Sequence, residues 1–152
     1  MALEVELTFD QKTYRHYMNG FLAVLHCHHY MSLLTKLAED YDDVGGPDIL
    51  CDSVEDSIRP MLDDYIQKHN MSTPEEKLSV GQEYYSVIGM GMMEVQGDAQ
   101  GGEVILKRSH VDQGWQKKWG NIGKPINHWT RGYIVAMFAA AFDRSPRSYA
   151  VE

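Results

Sequence analysis

Residues 89–109 constrain this chain more than any other stretch. Two runs, "GMGMMEVQ" and "GEVILKRS", flank a short link, "GDAQG". Apolar and β-branched residues on both sides of a glycine-rich link read as an antiparallel hairpin, because glycine supplies the backbone angles a tight turn requires. The residues before the hairpin carry helical patterns; a helix and a strand signature follow it. The order is helices, hairpin, helix, strand, so the expected class is α+β, with helices packed on a small antiparallel sheet.

Upstream, "EVELTF" alternates and reads as a short strand or as an arm reaching to a partner subunit. Asp10 stands where an N-cap belongs, for a long first helix expected over about 10–40. Gly45, Gly46 and Pro47 in "DYDDVGGP" end it. A second helix is expected over about 47–69, where Leu50, Val54, Ile58, Met61 and Tyr65 recur at helical spacing. Pro60 either kinks it or opens a new segment. In "STPEEKLSVGQEYYSVIG", Thr73 can cap, Pro74 takes the first helical position and Glu76 completes a capping box. After the hairpin come a short aromatic helix around Trp115 and Trp119, a final helix over about 125–142, and a last strand in "RSYAVE". With no repeat or low-complexity tract, the 152 residues read as one domain. Its helical part covers about 10–86 and its hairpin-helix-strand part about 87–152.

A net charge of −8 repels nucleic acid and anionic membrane, so neither is an expected partner. No apolar run approaches the roughly eighteen residues of a membrane span. The acidic start "MALEVELTFD" lacks the basic region of a secretory signal, and Cys27 and Cys51 make no disulfide framework. A reducing cytoplasm is the expected location. Nine methionines, nine tyrosines and three tryptophans suit a pocket for an apolar ligand, and equally a well-filled core.

Within the expected first helix, "FLAVLHCHHYMSLL" sets three histidines and a cysteine into an apolar run. At roughly 100° per residue, Met18, Leu22, Leu25, His29, Leu33 and Leu37 share an arc of about 120°, and His26 falls inside it. The two imidazoles can then converge on one ion, while Cys27 points to the other side. Zinc or iron would need further ligands. His128 is the first candidate, because it opens the last helix beside a small face of Gly132, Val135 and Ala139 that lets another helix, expected to be the first, approach. His28, on the flank, and Glu152 are further candidate ligands; His110, His69, Glu83 and Glu94 stand behind them. The alternative is a pair of core histidines bonded to carbonyls or carboxylates. Tyr30, Met92, Trp129 and Tyr133 are the candidate pocket residues. No nucleophile elbow, phosphate-cradling loop, paired CxxC or HExxH motif is present, so no catalytic residue is assigned.

From Val87 onward the chain resembles the 4-vinyl reductase domain, whose fold is shared with the haem-nitric-oxide-binding domain and Golgi-transport subunits of the TRAPP complex. The resemblance lies in "VIGMGMMEV", "VILKRSHVDQGW" and "KPINHWTRGYIVAMFAAAFDRSPRSYAVE". The family's proline, glycine-aromatic step, small-residue run, arginine and closing glutamate correspond to Pro125, Gly132 with Tyr133, Ala139 to Ala141, Arg144 and Glu152. The family's cysteine position is Asn127 here, so the zinc that aromatic-sensing relatives hold on cysteines and the closing glutamate does not carry over intact. The resemblance implies a small hydrophobic-ligand pocket between helices and sheet, usually in a homodimer. The expected function is a cytoplasmic, sensor-like domain for a small apolar or aromatic molecule, with a histidine-bound metal as an added expectation. The alternatives are a metal-dependent hydrolase, a tetrapyrrole-related reductase, a haem sensor with His29 or His26 as the axial ligand, or a scaffold.

Overall fold

The computed structural model describes residues 3–143, with only the backbone described at His28. Three short strands open the chain: β1 (Leu7–Asp10), β2 (Arg15–Met18) and β3 (Phe21–Ala23), an antiparallel meander in that order. The long first helix expected from Asp10 is therefore corrected in its first half. Asn19 and Gly20 have φ values of 50° and 86°. Two consecutive left-handed residues form the two-residue turn that matches strand twist, and a right-handed helix cannot hold them. Met18 and Phe21 face each other across that turn. Asp10 caps no helix; its carboxylate accepts from the Lys12 N–H at 2.8 Å and the Thr13 hydroxyl at 2.6 Å, closing the first turn of the meander.

Helix α1 (His28–Asp40) follows, then α2 (Gly46–Lys68) and α3 (Pro74–Val87). Helix α2 runs unbroken through the exposed Pro60. Helix α3 begins on the expected capping box of Thr73 and Glu76. The hairpin is β4 (Gly91–Asp98) with β5 (Gly101–Ser109), paired from Gly91–Ser109 to Asp98–Gly101. Helices α4 (His110–Trp119) and α5 (His128–Ala141) complete the described elements. The architecture is α+β, helices packed with two small antiparallel sheets. The strand expected in "RSYAVE" lies outside the described residues.

The small face of α5 does admit a helix, but the partner at Gly132 is α2, not α1. A Cβ at Gly132 would stand 2.2 Å from the Cys51 carbonyl oxygen, so only glycine permits this approach. Around the contact, Leu62, Tyr85, Met90, Met93, Tyr133 and Met137 are almost fully buried. Burying Leu62 alone contributes about 1.5–3 kcal/mol. Tyr133 keeps its buried hydroxyl satisfied by donating to the Gly81 carbonyl at 2.6 Å. Helix α3 lies on β4, and its Gln82 side chain accepts the Val95 N–H at 3.2 Å. Helix α5 reaches the far end of the hairpin through Phe138, whose ring rests on Gly97 and Gly102. No helix among the described residues is long and apolar enough to cross a membrane.

Candidate functional site

Between α5 and β5 lies a cavity of about 1030 Å³, closed further by α4 and the link at residues 120–127. Helix α5 contributes a continuous face, because Thr130, Ile134, Phe138 and Phe142 follow one another at helical spacing. Val104 and Leu106, alternate residues of β5, line it from the sheet. Ile122 and Ile126 line it from the link. These walls are apolar.

One end is polar and buried. Where β5 turns into α4, the Ser109 hydroxyl accepts the Asp112 N–H at 3.2 Å and caps the helix. The Asn127 side-chain nitrogen donates to Ser109 Oγ and to Asp112 Oδ2, each at 2.9 Å. Its carbonyl oxygen accepts the Thr130 N–H at 3.1 Å, which caps α5. Thr130 Oγ1 lies 2.9 Å from the Tyr85 hydroxyl. Asn127, Thr130 and Tyr85 are 3%, 1% and 0% exposed, so the Asn127–Ser109, Asn127–Thr130 and Thr130–Tyr85 bonds form out of water, while the two bonds to Asp112 are partly buried. Burial pushes the Tyr85 hydroxyl up, hydrogen bonds from Thr130 and Ser109 offset only part of that, and the phenol stays protonated. Trp115 also lines the cavity; its buried indole N–H has no hydrogen-bond partner among the described residues.

Both cations at the cavity wall have carboxylate partners. Arg131 Nη2 donates to Asp48 Oδ1 at 2.6 Å, and Lys124 Nζ lies 2.5 Å from Glu39 Oε2. Glu39 also bonds His128 Nε2 at 2.6 Å. Burial pushes the Glu39 carboxyl up, but the hydrogen bonds from Lys124 and His128 outweigh it and hold the group below the ordinary carboxyl value. Gly120 and Gly123, at φ values of 74° and 72°, give the link between α4 and α5 its two bends. That link is thereby tied to α1 at Glu39.

His128 is buried, as expected, and its partner on α1 is Glu39. The expectation that His26 and His29 share a buried helical face is corrected. His26 precedes α1 and is exposed, with its ring 5.7 Å from that of His110. His29 is exposed in the first turn, because α1 turns Met31, Ser32, Thr35 and Ala38 inward. Leu25, Leu33 and Leu37 of the same arc are exposed as well. Among the described residues, no group of three or more His, Cys, Asp or Glu could hold a metal ion, so His26, His29 and His128 are not gathered. The His28 side chain and Glu152 lie outside the described part.

Of the expected pocket residues, Tyr30 and Met92 are half exposed. Trp129 stacks on buried Tyr133 with centroids 5.8 Å apart. None of these four lines the cavity. Asn127, Thr130 and Asp112 were missed as site residues. Their signal was local: Ser109 with Asp112 and Asn127 with Thr130 are cap-spaced pairs at the starts of helices.

No protein-family model matches this chain, and no curated protein matches it. A solved structure does: the phenol-responsive sensory domain of the transcription activator PoxR, with phenol. The two share 16% sequence identity at a TM-score of 0.72, over 91% of this chain and 73% of that one. At this identity the likeness concerns the fold.

Proposed function

We propose that this chain is a small-molecule-binding, sensor-type domain whose ligand, apolar or aromatic, occupies the cavity between α5 and β5. One observation carries the reading: an apolar trough ends on a buried, mutually hydrogen-bonded polar corner. Apolar walls supply affinity at roughly 25 cal/mol per Å² removed from water, and a few fixed polar groups set orientation. The fold of a phenol-responsive domain supports this, as does the resemblance of "KPINHWTRGYIVAMFAAAF" to the 4-vinyl reductase domain, in whose family we place the chain. Asn127, at that family's cysteine position, is committed to capping α5 and bonding Ser109 and Asp112, so the reading rests on the cavity and not on a metal. Two free thiols suit a reducing cytoplasm.

Two copies associate, in this reading, through the meander and the outer side of α1. Leu7, Tyr14, Leu22, Val24 and Leu25 are 60–89% exposed, and Tyr30, Leu33, Leu37 and Tyr41 form an exposed stripe along α1. Residues 14–35 hold one formally charged side chain, Arg15, in a chain of net charge −8. The part of this face between Tyr14 and Leu33 is where two acidic copies can meet without crowding carboxylates.

Calorimetric titration of untagged protein with phenol, 1-naphthol and 1-octanol tests the ligand reading. Saturable binding is expected, weakened about tenfold or more by Ile134→Trp, which fills the wall. Absence of saturable binding by any of the three to protein that circular dichroism shows to be folded would remove it.

A further inference from the structure

Resting on that reading, the length of the cavity and the charges around it narrow the class of ligand. From Thr130 to Phe142 the lining face of α5 runs about 18 Å at the helical rise. A volume of about 1030 Å³ lies at the top of the range that takes drug-sized molecules. A single ring would leave most of that length without contact, forfeiting the dispersion that dense packing supplies. The hairpin shapes the far end of this lining. At Gly97 and Gly102 a Cβ would come within 2.6 and 2.7 Å of the Phe138 ring, so glycine there lets the ring lie down against the strands.

The charges select the head group. Arg131 and Lys124 already hold Asp48 and Glu39. The Asn127 nitrogen has given both its hydrogens to Ser109 and Asp112. Hydrogen-bonding capacity remains with the Asp112 carboxylate, which has several acceptor sites, with the Thr130 hydroxyl and with the Trp115 indole N–H, which has no partner among the described residues. A hydroxyl, which both donates and accepts, matches such a lining, and the Asp112 carboxylate opposes an anion. We infer that the ligand is an uncharged alcohol with an elongated apolar body. Its hydroxyl lies against Asp112 and Thr130, and its body runs along α5 towards Phe138 and Phe142.

The test is a calorimetric series on the full, untagged chain: 1-butanol, 1-hexanol, 1-octanol, 1-decanol, then decanoate at neutral pH. Affinity is expected to rise about fourfold per added methylene without levelling off through 1-decanol. Decanoate should bind about tenfold more weakly than 1-decanol, or worse. Val104→Phe, which shortens the trough near the hairpin, should erase the gain of the longest members. If that variant does not fold, the wild-type series still decides. Levelling off after 1-hexanol, or decanoate matching 1-decanol, overturns the inference. Should phenol or 1-naphthol still bind in a manner sensitive to Ile134→Trp, the cavity reading survives that failure. Silence from every compound sinks both.

Discussion

Cys27 and Cys51 show how position alone separates two identical side chains. Cys27 is exposed at the start of α1, where the N–H groups of Tyr30 and His29 lower its thiol below the ordinary value. Cys51 is buried, and desolvation raises its thiol despite a hydrogen bond with Arg131. Because the thiolate is the reacting form, Ellman's reagent should meet one fast thiol and one slow thiol. Cys27→Ser should remove the fast phase, and denaturant should accelerate the slow one. Glu39 gives a second residue-scale outcome. Its folded value is depressed from 4.5, so the unfolded chain binds more protons in that range and stability rises with pH. The contribution is complete above the ordinary carboxyl range and is lost as pH falls through the lower folded value. Glu39→Gln should cost about 1–2 kcal/mol at neutral pH in urea unfolding. It should also flatten the acid side of the stability profile.

At the scale of elements, α2 and α5 meet where Gly132 abuts the Cys51 carbonyl. Gly132→Ala must push the helices apart, and a loss of roughly 1–3 kcal/mol of unfolding free energy is expected in urea titrations. Much of this level was legible in the residues. The capping box at Thr73, the hairpin after Gly89 and the final helix all announce themselves through short-range chemistry. The opening meander was equally announced, by Asn19–Gly20 between apolar residues, yet a helical period running through Met18, Leu22 and Leu25 masked it. Period is a statistical signal; two adjacent left-handed residues are a steric one, and the steric one prevails. The candidate site is harder to read, because its polar corner joins Tyr85, Ser109, Asp112, Asn127 and Thr130 from three helices, a strand and a link. No spacing encodes such a meeting. The histidine cluster stands out by residue type, whereas its exposure is fixed by the tertiary packing of α1.

For the whole molecule, the concentration of exposed apolar side chains in the meander and on α1 bears on assembly. Light scattering at micromolar concentration should report twice the 17.4 kDa chain mass. Leu33→Asp with Leu37→Asp should return it to monomer with the helical signal intact, since both side chains face outward. A wild-type chain that scatters as a monomer would remove the proposed pairing.

Helix α1 carries that outward stripe on one side, while on the other its Glu39 holds Lys124, a residue of the cavity wall. One element thus touches both proposed events. Thermodynamic reciprocity then requires that any factor by which the small molecule alters self-association is returned, unchanged, in its own affinity. Where that factor differs from one, a cell that makes more of this chain would, by mass action, retune how much of the molecule each copy holds.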